Sequence, residues 1–232
     1  MSDSQADAAT EQMSSRGILD SLLESGLHEM NRERSGLLLS GVSAGLDIGF
    51  GPLLMAIVLT LTGDAWGVPL TDFAMANAYA IGFVFVILGR SELFTEHTTL
   101  AVLPVLDGRA SVGDLGRLWA LIYAGNVIGG AMFAVLGVAV ILNLGVADPA
   151  AFADIAGQLT DHGAITILTA AVLAGWLMGL LSWLVAAAQE TISRLVIVWI
   201  IAATIGFAHL PHCIAGTVEV VAGIVVGETT IF

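Results

Sequence analysis

The sequence predicts an all-α membrane protein, an inverted repeat of three helices whose second and fifth spans are broken. Three observations predict it. Of 232 residues, 57% are hydrophobic and 12% charged, where a soluble domain carries roughly 25% charged residues. The apolar runs are long rather than short and alternating, which points to helices and not to a barrel. Two of the runs are interrupted at matching places, one by Gly89-Arg90-Ser91-Glu92-Leu93-Phe94-Thr95-Glu96-His97-Thr98 and the other by His209-Leu210-Pro211-His212.

One membrane unit, 36–232, follows a segment of 35 residues that divides in two. Met1 to Ser15 is polar and acidic and reads as a disordered tail. It has neither the basic nor the apolar region of a signal peptide. From Arg16 to Glu33, Leu19, Leu22, Leu23, Leu27 and Met30 recur at helical spacing, with Asp20, Glu24 and Glu29 between them. That is an amphipathic helix, lying on the membrane surface or packed on neighbouring subunits.

The first span is Gly36 to Thr62. Gly41, Gly45 and Gly49, spaced by four, give it a small-residue face for close helix contact. Asp47 on this span reads as a capped or paired carboxylate. Gly63 to Asp72 is a loop. The second span is Phe73 to Leu88, resuming at Thr99 to Leu106. Charged groups at its break must be paired or wet, and Arg90 with Glu92 or Glu96 is the pairing expected. The third span, Leu118 to Leu144, carries Gly125-Asn126 and Gly129-Gly130. Residues 145–163 are read as a loop, and Ala164 to Gln189 as the fourth span. The fifth runs from Leu195 to Ala208 and from Cys213 to Val226. Each half is shorter than the roughly 20 residues a spanning helix needs, and Pro211 cannot continue the ladder between them. The order is a repeat of three without its last member, so a chain truncated before a sixth span is expected.

Charge placement orients the chain. All seven basic residues are arginine. Arg16, Arg32 and Arg34 precede span one, Arg109 and Arg117 follow span two, and Arg194 follows span four, while loops 63–72 and 145–163 have none. The N-terminus is therefore expected in the cytoplasm of a multi-pass cell-membrane protein. The net charge of −13 argues against nucleic acid as a partner, and a single cysteine, Cys213, excludes an intrachain disulfide.

The breaks are the candidate site, because irregular backbone at membrane depth survives only buried in protein or beside a wet cavity. His212 can exchange a proton with a small weak acid, since an anion alone in an apolar constriction is very costly. Its alternative is to cap the helix that follows. His209 is a second candidate or a local hydrogen-bonding group. Thr95 can orient the histidine or the substrate, or cap its own helix. Tyr79 and Phe83, one turn apart, form an apolar gate or pack in the core. Glu219, two turns past His212, is a structural partner or part of a proton path. A metal site from Glu92, His97, His209, His212 and Cys213 has only a weak signal, because no pair shows a close-spaced zinc motif. With no nucleophile elbow, P-loop or dinucleotide fingerprint, neither an enzyme nor a cofactor is expected.

Three stretches carry a family resemblance: Glu92-Leu93-Phe94-Thr95, Tyr123-Ala124-Gly125-Asn126-Val127-Ile128-Gly129-Gly130, and His212-Cys213-Ile214-Ala215-Gly216. In this order and topology the chain resembles the formate/nitrite transporter family over roughly residues 16–232. The resemblance implies an aquaporin-like fold, a homopentamer with a pore in each subunit, and small monovalent anions such as formate, nitrite, hydrosulfide or short carboxylates as substrates. It implies His212 as the central pore histidine, with His209 the alternative across Leu210-Pro211, and Thr95 as the threonine of an omega-shaped loop. It assigns the cytoplasmic constriction to Tyr79 and Phe83, and Trp176 to the place of an asparagine that formate channels carry in span four. With no lysine in the chain, the partner of that asparagine has no counterpart. A neutral-solute channel for water or ammonia on the same fold is the alternative function. A membrane enzyme or metal site is a third.

Overall fold

The computed structural model describes residues 13–63 and 65–227, and every regular element among them is an α-helix. In chain order these are α1 (Ser15–Met30), α2 (Arg34–Ile48), α3 (Phe50–Thr62), α4 (Val68–Gly89) and α5 (Phe94–Leu106). They continue as α6 (Val112–Leu144), α7 (Pro149–Thr160), α8 (Ala164–Ala187), α9 (Thr191–Phe207) and α10 (Cys213–Val225). The tail expected over residues 1–12 lies outside the described residues.

Four stretches are long and apolar enough to cross a bilayer: Arg34–Thr62, Val68–Gly89, Val112–Leu144 and Ala164–Ala187. The halves of the last broken span, α9 and α10, are each too short. The first span is one rod with a defect. Pro52 has no amide to offer the carbonyl of Ile48, so the ladder lapses at Gly49, which keeps helical angles (φ −59°, ψ −24°). The second span begins at Val68 rather than Phe73, on a turn made by Gly67 at φ 68° with a proline in the first helical turn. It resumes at Phe94, directly after the break, and not at Thr99. The third begins at Val112, where Ser111 and Asp114 form a reciprocal capping box.

Residues 145–163, read as a loop, contain the helix α7. It starts at Pro149 and buries Ala151, Phe152, Ile155 and Ala156. The span Arg34–Thr62 separates α7 from α1. It starts beside α1 and ends where the Thr60 hydroxyl accepts the Asp148 amide at 3.0 Å, just before α7. The helices α1 and α7 therefore close opposite ends of the bundle. At its end α1 packs on α5 and α8, with Ile18 and Leu22 against Leu100, Leu103 and Trp183.

The tightest crossing joins α2 to α6. Gly41 and Gly45 meet Gly125 and Gly129 there, and a Cβ on Gly45 or Gly129 would strike backbone atoms of the facing helix. The glycine ladder expected on span one thus finds its partner on span three. Gly49 meets the Phe133 ring instead. The first halves of the broken spans, α4 and α9, pack against each other, and so bring the two breaks together.

Candidate functional site

At the second break the chain leaves α9, turns through His209 in the left-handed region (φ 49°), and reaches His212 at the N-cap of α10. The His212 ring caps that helix: its Nδ1 lies 3.2 Å from the Ala215 amide. An amide only donates, so Nδ1 carries the lone pair and the neutral ring carries its proton on Nε2. That nitrogen lies 2.6 Å from the Thr95 hydroxyl of the first break. His212 is 3% exposed. Phe83 meets its ring edge-on at 4.9 Å between centroids, and Leu93 and Ile214 are fully buried in the same core.

Asn126 of α6, fully buried, holds the first break in place. Its Oδ1 accepts the Phe94 amide at 2.8 Å, and its Nδ2 donates to the carbonyls of Gly41 at 2.9 Å and Glu92 at 2.8 Å. Ser40 accepts the Glu92 amide at 3.2 Å, and Ser91 donates to Asp47 at 3.1 Å. The break is thereby tied to α2 and α6. Asp47 is held by the serine hydroxyls of Ser91 and Ser43 and not by a cation. The Phe94 ring lies 5.1 Å from Tyr123 and 6.2 Å from Trp119.

Glu92 does not pair with Arg90. Arg90 ends α4 in the left-handed region at φ 58° and is exposed. The partners of Glu92 are Arg32 and His97. Arg32 also holds Glu29 at 2.7 Å, and His97 donates from Nδ1 to the Leu93 carbonyl at 3.0 Å. Burial, and then the neighbouring Glu92, push the Glu29 carboxyl above its ordinary range, against the pull of Arg32. This cluster fastens the end of α1 to the first break. Sequence reading missed it because 60 residues separate Arg32 from Glu92.

Of the residues weighed for a weakly signalled metal site, Glu92 and His97 come together and the other three lie apart from them. His209 is 4.0 Å from Asp72, His212 bonds Thr95, and Cys213 is exposed. Among the described residues, the group with ligand atoms within 4.8 Å of one another is Glu29, Glu92 and His97, and Arg32 already supplies the cation there.

On the α7 side of His212 lies a cavity of about 20 Å³ bounded by Tyr79, Gln158, Gly206, His209, His212 and Glu219, among others. That is room for a water-sized molecule. Tyr79 packs on Phe83 at 5.1 Å. Phe83 is level with His212, and Tyr79 faces α7, at the end opposite α1, because α4 descends from the 63–72 loop toward the break. Gln158 was overlooked along with its helix, although Asp148-Pro149 is a helix-start signal. Trp176, placed by resemblance at a span-four asparagine, is 74% exposed on the outer face of α8. The buried face of α8 is Ala174, Met178, Leu181 and Ser182.

Residues 16–232 match the family model described as formate/nitrite transporter. The chain belongs to the formate/nitrite transporter family. The inner membrane protein YfdC of Escherichia coli (strain K12) is 30% identical over 207 residues, 88% of this chain and 64% of that protein. The chain thus spans less than two thirds of that relative's length. A solved pentameric formate channel with formate bound superposes with a TM-score of 0.72 at 22% identity, covering 82% of this chain and 75% of that one. A channel described as an FNT family ion channel gives 0.76 at 19% identity, covering 90% and 83%. The fold of this formate/nitrite transporter family member is therefore the fold of those channels, as the sequence predicts.

Proposed function

We propose that this family member is a membrane conduit for small monovalent weak-acid anions, formate and nitrite among them, in which His212 exchanges a proton with the substrate. The observation that carries the reading is the Thr95–His212 contact, 2.6 Å, at the meeting of the two breaks. Around it Phe83, Leu93 and Ile214 are wholly buried apolar groups, and a bare anion among them is very costly. Protonation removes that cost. A proton from solvent displaces the Ala215 amide from Nδ1 and makes the ring an imidazolium. The ring then passes its Nε2 proton to the anion, leaving a neutral imidazole and a neutral acid. On the far side the acid gives the proton up, so anion and proton cross together. Thr95 orients the donor.

Homopentamer assembly is part of the same reading. Outward apolar side chains on α6 and α8, among them Leu136, Leu168 and Trp176, require lipid or a neighbouring subunit to cover them. The N-terminus lies in the cytoplasm, as the arginine distribution argues. Cysteines placed in 63–72 and in 145–163 would then react with an impermeant reagent from outside, and reaction only from inside would reverse the orientation. The neutral-solute reading is favoured by one observation, the resting neutral tautomer of His212. Reconstituted vesicles carrying a pH dye decide between them. Formate addition is expected to carry protons inward with the anion. Water or ammonia flux without formate-driven acidification would favour the neutral-solute channel.

A further inference from the structure

We infer that Arg90 of one subunit pairs with Asp47 of the next, so that a ring of ion pairs joins the subunits and anchors the first break from outside. The inference rests on the homopentamer of the proposed function and goes beyond it by naming the face and the pair.

Arg90 stands where α4 ends, at φ 58°, a position that glycine usually takes. Its side chain is exposed. Among the described residues its guanidinium has neither a hydrogen bond nor an ion pair, and an arginine is always charged. Asp47 is half-buried on α2. It receives the hydroxyls of Ser91 at 3.1 Å and Ser43 at 3.4 Å, but no cation of its own subunit. It lies roughly 20 Å past the start of α2 at Arg34, within a hydrocarbon core about 30 Å thick. The surface around the two charges is continuous. Leu39, Ser43, Asp47 and Phe50 recur at helical spacing along α2 and α3. Leu39 and Phe50 are exposed there, and Phe85 of α4 meets Phe50 with ring centroids 5.7 Å apart.

Lipid tails cannot solvate a charge at this depth, so charged groups in spans pair with one another, face protein or line water. A second copy of the chain covers this face and supplies the counter-charge. A five-fold rotation sets two different faces of the subunit against each other and closes a ring. Each subunit then gives Arg90 to one neighbour and offers Asp47 to the other. The choice of carboxylate is narrow. Glu29 and Glu92 already hold Arg32, and Glu96 lies near that cluster. Helices α3, α8 and α9 contain no carboxylate, and α6 has only Asp114, in its first turn. Asp47 has room for the pair. A carboxylate offers about four lone-pair sites, so it can take a guanidinium on both oxygens and keep its two serine bonds. Arg90 directly precedes the break that carries Thr95, so the pair ties the site of one subunit to the first span of another.

The test uses the full chain with Cys213→Ser, which leaves no native thiol, and treats membranes with a short bifunctional thiol reagent. R90C/D47C is expected to give a ladder of covalent dimers up to pentamers on a denaturing gel, and each single-cysteine variant to stay monomeric. A double variant that stays monomeric overturns the pair. R90C alone linking as well as the double variant would set the arginines around a wet axis, and overturns it too. A second measurement needs no cross-link. R90Q and D47N each leave one charge unpaired, and each is expected to lower by several degrees the temperature at which the detergent-solubilised pentamer dissociates. R90Q/D47N, with neither charge, should regain part of that loss; additive losses overturn the pair. A wild type that is monomeric on size exclusion overturns the homopentamer reading and the pair with it, whereas a pentamer without the cross-link overturns the pair alone.

Discussion

The Thr95 hydroxyl and the Nε2 of His212 lie 2.6 Å apart, although 117 residues separate them. Each belongs to the break of a different broken span. The contact is made where α4 and α9, packed together, bring the two breaks side by side. Removing the hydroxyl leaves a buried Nε2–H without a partner, at about 1–3 kcal/mol. Thr95→Ala is therefore expected to slow formate flux by roughly tenfold, while Thr95→Ser, which keeps the oxygen, retains most of it. Equal flux in Thr95→Ala and wild type, measured on assembled protein, would remove Thr95 from the mechanism.

Asn126 satisfies three backbone groups at once: the Phe94 amide and the carbonyls of Gly41 and Glu92. Asn126→Ala orphans all three in a site that excludes water. The expected loss is about 3 kcal/mol or more, read as a lower thermal transition in detergent. A transition at the wild-type temperature would mean that the first break is held by something other than this side chain.

Both breaks were legible in the sequence, because Pro211, Arg90 and Glu92 are residues that an unbroken apolar helix does not hold. Gly41 and Gly45 were legible as close-contact positions from their spacing of four, whereas Gly125 and Gly129 show their role only where the facing helix meets them. What the sequence hid is of two kinds. The helix α7 shows only four buried apolar positions in a short segment between charged residues, too few for a spanning pattern to flag. The Arg32–Glu92 pair and the side of His212 on which Tyr79 stands depend on which way α1 and α4 run past the breaks. That is tertiary geometry, and no local spacing encodes it.

Arg32 joins Glu29 at the end of α1 to Glu92 at the first break. Arg32→Ala leaves two carboxylates facing His97 alone. The expected cost is about 1.5–3 kcal/mol, the range for hydrogen bonds to charged groups. It should appear locally, as faster amide hydrogen exchange over residues 16–30 with the membrane core unchanged. Uniform exchange across the two proteins would show that α1 is held by its apolar face and not by this cluster.

The central claim is that His212 exchanges a proton with the substrate, and His212→Asn tests it most directly. Asparagine is a good N-cap, so the Ala215 amide keeps an acceptor and α10 keeps its start, but the side chain no longer titrates. Formate uptake into vesicles, followed with an internal pH dye across a range of external pH, is the measurement. The account expects assembled His212→Asn to lose formate-coupled proton entry by about a hundredfold, within the range for general acid–base groups, while His209→Asn stays near wild type. Formate uptake by His212→Asn at the original rate, with proton coupling and pH dependence unchanged, would contradict it.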